Sequence, residues 1–228
     1  MAKSTKKKVT FESCDKAFME NNFGLVRVKT LPELTAWIES GVPPKHEEIK
    51  FLQKLLSFSD FRIEDWNEEG LKINFIAPIL FLVQFNGDKY TAFADEKLEV
   101  EVGEFLLTGK LDWFVAKGFY KPEVPILFLQ EFKRMKGNPS DPDGQILAEM
   151  IASRMLNGTP DEVMYGVVIL GKYWSFIVLK ENEYAICPAF DSSSEDDLFS
   201  IFSILKASKK IVEQKMEVLE ARANLNKR

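Results

Sequence analysis

The spacing of apolar positions changes period along the chain. The first third carries helical spacing. "LPELTAWIES" (31–40) predicts a short helix, stopped by Gly41 and the Pro43–Pro44 pair. "PKHEEIKFLQKLLSFS" (44–59) places Ile49, Leu52, Leu55 and Leu56 on one helical face. "IEDWNEEGLKINFIAPILFLVQF" (63–85) repeats the pattern with Trp66, Leu71, Ile73, Phe75, Ile76, Ile79 and Leu80. Asp65 or Asn67 supplies the cap, Glu68 and Glu69 suit the positive end of the helix dipole, and Pro78 kinks or ends the helix.

The middle shifts to period two. "KYTAFADEKLEVEVGEFLLTGKLDWFVAKG" (89–118) alternates and predicts two or three strands in a meander. "VPILFLQEFKR" (124–134) is a nearly uninterrupted apolar run, the mark of a central strand. "NPSDPDGQILAEMIASRMLNG" (138–158) returns to helical spacing. Asp141 or Asp143 caps it, Leu147, Met150, Ile151 and Met155 form its inner stripe, and Gly158 stops it. "VMYGVVILG", "YWSFIVLKE" and "EYAICPAF" read as three more strands, the first two joined at Gly171-Lys172. The acidic run "SSSEDD" (192–197) reads as a helix-capping loop, and a long helix follows with Leu198, Phe202, Leu205, Val212, Met216 and Leu219 inside.

This order predicts an α/β fold: a mixed central sheet flanked by helices, with helices before it and a long helix at the end. The expected division is an N-terminal extension (1–44, partly flexible, with one short helix), an α/β core (45–195) and a C-terminal helix packed on the core (196–228).

Composition narrows the function classes. Hydrophobic residues make up 46% and charged residues 29%, as in a chain with a substantial core. The formal net charge is -5, so nucleic-acid contact needs a local basic patch. With one histidine, His46, a zinc cluster is disfavoured, and a Ser-His or Cys-His catalyst would have to use a residue set in "PKHEE". The two cysteines, Cys14 and Cys187, form no disulfide framework, and a reducing compartment is expected. "MAKSTKKKVTF" has no apolar leader run, and no apolar run is long enough to span a bilayer. These features predict a cytoplasmic protein. There is no Gly-x-Gly-x-x-Gly after a strand, no phosphate-binding loop ending in Lys-Ser/Thr and no serine elbow.

The chemistry concentrates at the end of the predicted central strand. Side chains on a strand alternate faces, so Glu131 and Lys133 point one way and Phe132 the other. Alone, such a pair is an ordinary ion pair worth ~0–1 kcal/mol. Asp112 changes its meaning, because it is an acid embedded between Leu111 and Trp113-Phe114-Val115. A charge in a strand core needs a partner, a cation or solvent. If the two strands are neighbours, two carboxylates converge and repel unless a cation lies between them. Oxygen ligands of that kind suit Mg²⁺ or Mn²⁺, with the Phe132 carbonyl as a third protein oxygen and Lys133 beside the ion.

An Asp in a meander strand, then Glu-x-Lys on the next strand, then a helix, resembles the PD-(D/E)XK nuclease superfamily, the restriction-endonuclease-like fold. "GKLDWFVAKG", "PILFLQEFKR" and "DPDGQILAEMIAS" are also similar to the N-terminal nuclease domains of type I restriction motor subunits and related bacterial proteins. The likeness covers roughly residues 64 to 180, and the leading element is Leu-Asp rather than Pro-Asp. The resemblance implies Mg²⁺-dependent cleavage of DNA phosphodiester bonds. It assigns Asp112, Glu131, Lys133 and Gln145 to catalysis, and metal binding to Asp112, Glu131, the Phe132 carbonyl and Glu69, with Glu68 and Glu48 as weaker matches. Phosphate contacts are expected from Lys110, Lys117, Lys121, Arg134, Lys136 and Arg154. The competing expectation is a protein that keeps the fold without the chemistry and binds nucleic acid or protein, with the terminal helix as contact to a partner or a second copy.

Overall fold

The computed structural model describes residues 6–135 and 140–225, and for 219, 220 and 222–225 the backbone only. Lys136 and the side chain of Leu219 therefore lie outside the described residues. The described strands form one mixed sheet: β1 (Lys7–Thr10), β2 (Val26–Arg27), β3 (Tyr90–Val102), β4 (Phe105–Lys117), β5 (Glu123–Lys133), β6 (Met164–Leu170), β7 (Tyr173–Lys180), β8 (Glu183–Ile186) and β9 (Phe190–Asp191). The α/β architecture read from the sequence is the one observed.

β3 and β4 pair antiparallel along their whole length, and that occupies one edge of β4. β1 (parallel) and β5 (antiparallel) share its other edge. β5 then pairs parallel with β6, as a crossover through a helix demands. β6, β7 and β8 follow antiparallel, and β2 adds parallel to β8. β5 thus has neighbours on both sides, which explains its apolar run.

Helices cover both faces. On one lie α2 (Pro32–Glu39), α3 (His46–Ser59), α5 (Ala77–Val83) and the long α7 (Glu195–Leu225), packing Trp37, Ile79, Phe202 and Leu205 on Phe128, Val167 and Phe176. On the other lie α1 (Lys16–Phe23) and α6 (Pro142–Asn157), packing Met19, Ile146 and Met150 on Leu107, Phe114, Leu129 and Ile177. No helix among the described residues is long and apolar enough to cross a membrane.

Three differences from the sequence reading have physical causes. First, the stretch expected as an extension with one short helix supplies two strands and two helices, with Phe11, Cys14 and Leu25 buried in the α6-side core. Strands of four and two residues carry too little periodicity to be read, and partners remote in sequence decide them.

Second, the helix expected over 63–85 is divided. Asn67 caps α4 (Glu68–Leu71) by accepting the Gly70 N–H at 2.8 Å, then residues Lys72–Ile76 are π-helical, then α5 begins. The Ala77 N–H donates to the Lys72 carbonyl, an i to i+5 bond. Pro78 has no N–H to give the carbonyl four residues back, so the ladder is re-spaced just before it.

Third, α6 does not bury the stripe its apolar residues trace. Leu147 and Met150 are inside but Met155 is exposed, and Gln145, Glu149 and Arg154 are buried. The helix is covered nearly all round because Gly144 lets it meet the Asp15 backbone closely. Lys16 then ties the two helix starts by bridging Asp141 at 2.7 Å and Asp143 at 2.8 Å.

Candidate functional site

The site forms where the buried strand β5 runs out. Glu131 is 0% exposed and Lys133 is nearly covered, and both point toward α6. Lys133 Nζ lies 2.5 Å from Glu131 Oε1. No backbone N–H reaches either Glu131 oxygen, so its partners are side chains alone.

Asp112 joins them from β4. Trp113 pairs with Gln130 across the β4–β5 ladder. At the next step the Asp112 side chain takes over from the backbone, with its Oδ2 accepting the Phe132 N–H at 3.0 Å. Asp112 Oδ1 lies 3.5 Å from Lys72 Nζ. Lys72, at the first position of the π-helical segment, also reaches Glu68 at 3.1 Å and Glu69 at 3.5 Å. Its position follows from the local re-spacing of the helix, and its ammonium lies 5.7 Å from the centre of the Phe132 ring.

α6 supplies the third wall. Gln145 Nε2 donates to Glu149 Oε1 at 3.2 Å, and Glu149 is 0% exposed. Glu149 also meets Glu131 side chain to side chain. Two ionised carboxylates are both acceptors, so they can bond each other only by sharing a proton.

The electrostatics follow from this crowding. Burial, then the Asp112 charge, push Glu131 up to about 8, with Lys133 opposing. Burial and the Glu131 charge hold Glu149 well above the carboxylate range. Burial would lower Lys133, but Glu131 and Asp112 outweigh it and raise it. Lys72 is raised in the same way: burial opposes, and Asp112 and Glu68 prevail. The pair Glu131–Glu149 therefore carries a proton near neutrality while both lysines are charged.

The residues singled out in the sequence fare differently. Asp112, Glu131 and Lys133 come together. Gln145 is buried beside them but holds Glu149 rather than Lys133. Phe132 presents its N–H to Asp112. Glu69 is 70% exposed in its side chain and touches the site through Lys72 alone. Glu48 is occupied elsewhere, accepting the Lys45 N–H at the start of α3 and pairing with Lys206 at 2.9 Å. Arg154 is no phosphate contact. It is buried, and its guanidinium donates to the carbonyls of Glu162, Leu179 and Glu181. Lys110 and Lys117 pair with Asp95 and Glu123 on the surface. Thiol chemistry has no support, since burial pushes Cys14 up to about 12 and Cys187 is raised by burial too.

Sequence reasoning missed Glu149 and Lys72. Each left a signal: Glu149 interrupts "ILAEMIA", and Lys72 interrupts "GLKINFIAPIL", one charge in an apolar helical run. Among the described residues, no group of three or more His, Cys, Asp or Glu side chains is placed to hold a metal ion.

No protein-family model matches the chain, and no curated protein matches it. A chain in the cryo-electron microscopy structure of a DrdV–DNA complex is similar in fold at 12% sequence identity and a TM-score of 0.38, over 69% of this chain and 94% of that chain. A likeness of that size assigns no activity.

Proposed function

We propose that this chain is a nuclease that hydrolyses DNA phosphodiester bonds with the help of Mg²⁺ or Mn²⁺ held by Asp112 and Glu131. The observation that carries the reading is Glu131: a fully buried carboxylate that no backbone N–H serves, crowded by the acids Asp112 and Glu149 and met by a single lysine at 2.5 Å. Several buried acids around one ammonium are costly, and a further cation or a proton relieves them.

The donor set fits a hard divalent ion. Both ligands are carboxylates, and Mg²⁺ is commonly held by one or two carboxylates with water and substrate phosphate completing its shell. Two protein acids are therefore enough, and the Phe132 carbonyl is the remaining backbone candidate. A bound ion would polarise the phosphate and lower the pKa of a water.

The chain's own residues have separable duties. The Phe132 N–H orients Asp112. Lys133 holds a positive charge next to Glu131, where it would offset negative charge building on a phosphate. Gln145 fixes Glu149, and Glu149 keeps Glu131 within reach of a shared proton until a cation arrives.

A second reading is a nucleic-acid or protein binding module on the same fold without the chemistry. It is favoured by Lys72, which already serves the free oxygen of Asp112, and by the net charge of -5. Calorimetric titration with Mg²⁺ and Mn²⁺ separates the two, alongside plasmid cleavage by wild type and Lys133→Ala. The nuclease reading expects binding that Asp112→Asn abolishes and cleavage that Lys133→Ala abolishes. If no metal binds, or both proteins cut equally, the catalytic reading fails.

A further inference from the structure

A cavity of about 560 Å³ opens beside Asp112, between the helical stretch 72–81 and strands β3 and β4. Lys72, Asp112 and Phe132 belong to its wall, so it is continuous with the candidate site. The rest of the lining is mainly apolar, including Ile76, Leu80, Phe85 and Trp113. Two large side chains at its mouth are left in solvent, Ile73 at 67% and Phe81 at 73% exposure. Polar groups are few, and Asn86 is held at the wall by its Oδ1, which accepts from Thr91 and from the Ala92 N–H at 3.4 Å.

We propose that this cavity receives an unpaired nucleobase, so that the substrate is single-stranded rather than duplex nucleic acid; this rests on the phosphodiesterase reading of the adjoining carboxylates. The volume lies within the ~300–1,000 Å³ of small-molecule sites and is ample for a nucleobase. A base locked in a duplex stack cannot enter it, whereas a splayed base presents a flat apolar face. Phe81 at the mouth offers an aromatic surface for that face. The phosphate attached to such a base would then lie toward Lys72 and Asp112, at the cavity's polar end.

Charge points the same way. Duplex binding depends on many lysine and arginine contacts to phosphate. Here the net charge is -5, and Lys72, Lys133 and Arg154 are already engaged within the protein. Single strands draw much of their affinity from stacking on aromatic side chains, which this cavity supplies.

The test is fluorescence anisotropy of the full chain in Ca²⁺, with a labelled 15-nucleotide oligothymidine and a labelled duplex of equal length. The variants are Phe81→Ala and Ala77→Trp, both at exposed lining positions, with thermal melts to verify folding. The expected result is at least tenfold preference for the single strand, and about a tenfold loss of single-strand affinity in each variant with duplex affinity unchanged. Equal affinity for the duplex, or single-strand affinity indifferent to both variants, overturns the proposal. Failure of the two readings is distinguishable. Variant-sensitive single-strand binding without Mg²⁺-dependent cleavage retains the occupant and removes the hydrolysis. Lys133-dependent cutting of duplex without single-strand preference does the reverse.

Discussion

Phe132 donates its backbone N–H to Asp112 Oδ2 at 3.0 Å, where a regular ladder would have offered a carbonyl. The acid is thereby part of the sheet's own bonding and is held in one orientation. Its second oxygen faces the Lys72 ammonium at 3.5 Å. The two oxygens of one side chain thus have different duties, one bonding a backbone N–H and the other facing an ammonium.

Asp112→Asn separates those duties. The amide oxygen still accepts from Phe132, so the melting temperature is expected to change by only a few degrees. The negative charge facing Glu131 is lost, so Glu131 titrates at lower pH than in wild type. Carbon-13 NMR of the Glu131 carboxyl, followed from pH 4 to 9 without metal, reads this shift. An unchanged titration would show that the Asp112 charge does not reach Glu131.

Stability should depend on pH in an unusual sense. The native state raises Glu131 from 4.5 to about 8, so between those values the folded protein holds a proton that the unfolded chain releases. The contribution is fully present below pH 4.5 and is lost as pH rises toward 8, at up to ~1.4 kcal/mol per pH unit for one proton. Asp141, lowered by its hydrogen bonds and charge contact with Lys16 against the opposing effect of burial, acts in the other direction and loses its contribution below its ordinary range. Urea unfolding in EDTA is therefore expected to give higher stability near pH 5 than at pH 8. Mg²⁺ should recover part of the difference at pH 8, because binding to the folded state alone stabilises it.

Glu149→Gln should be stabilising at pH 8. The new amide donates to Glu131 and its oxygen still accepts from Gln145, so a shared proton is no longer required. A gain on the order of 1 kcal/mol is expected at pH 8, shrinking toward pH 5. Urea midpoints at the two pH values check it, and a loss at pH 8 would show that Glu149 has another partner.

Gly144→Ala should be disruptive although it lies on a helix, where alanine is ordinarily favoured. The added carbon would sit 2.4 Å from the Asp15 carbonyl carbon and 2.5 Å from its Cα, and that backbone cannot move without shifting α1. A loss of about 1–3 kcal/mol is expected, seen as a lowered melting temperature. The same change at Gly24, with open space around it but φ +66, would cost less.

How much of this was legible in the sequence depends on what kind of signal each part left. β5 and the acid-lysine pair at its end were readable because an apolar run makes any charge inside it conspicuous. Asp112 was readable for the same reason. Glu149 left the same mark in "ILAEMIA", but a helix is read by its apolar stripe, and α6 is buried by packing that Gly144 permits rather than by its own periodicity. Met155 was placed inside on that logic and is outside. β1 and β2 were invisible because four and two residues hold no period, and their pairing with β4 and β8 is fixed by the remote strands. Lys72 was missed because its position depends on a helix ladder that only the fold reveals.

The widened turn at Lys72–Ile76 has a mechanical consequence. An α-helix advances about 100° per residue, so rewinding that turn to ordinary pitch, with one residue fewer in the loop, would swing the ammonium roughly a quarter of the way around the axis. It would take the ammonium away from the Asp112 oxygen that lies on the cavity wall. A single ring-closed residue at 78 thus sets, through nothing more than the pitch of the backbone ahead of it, which positive charge the aspartate meets.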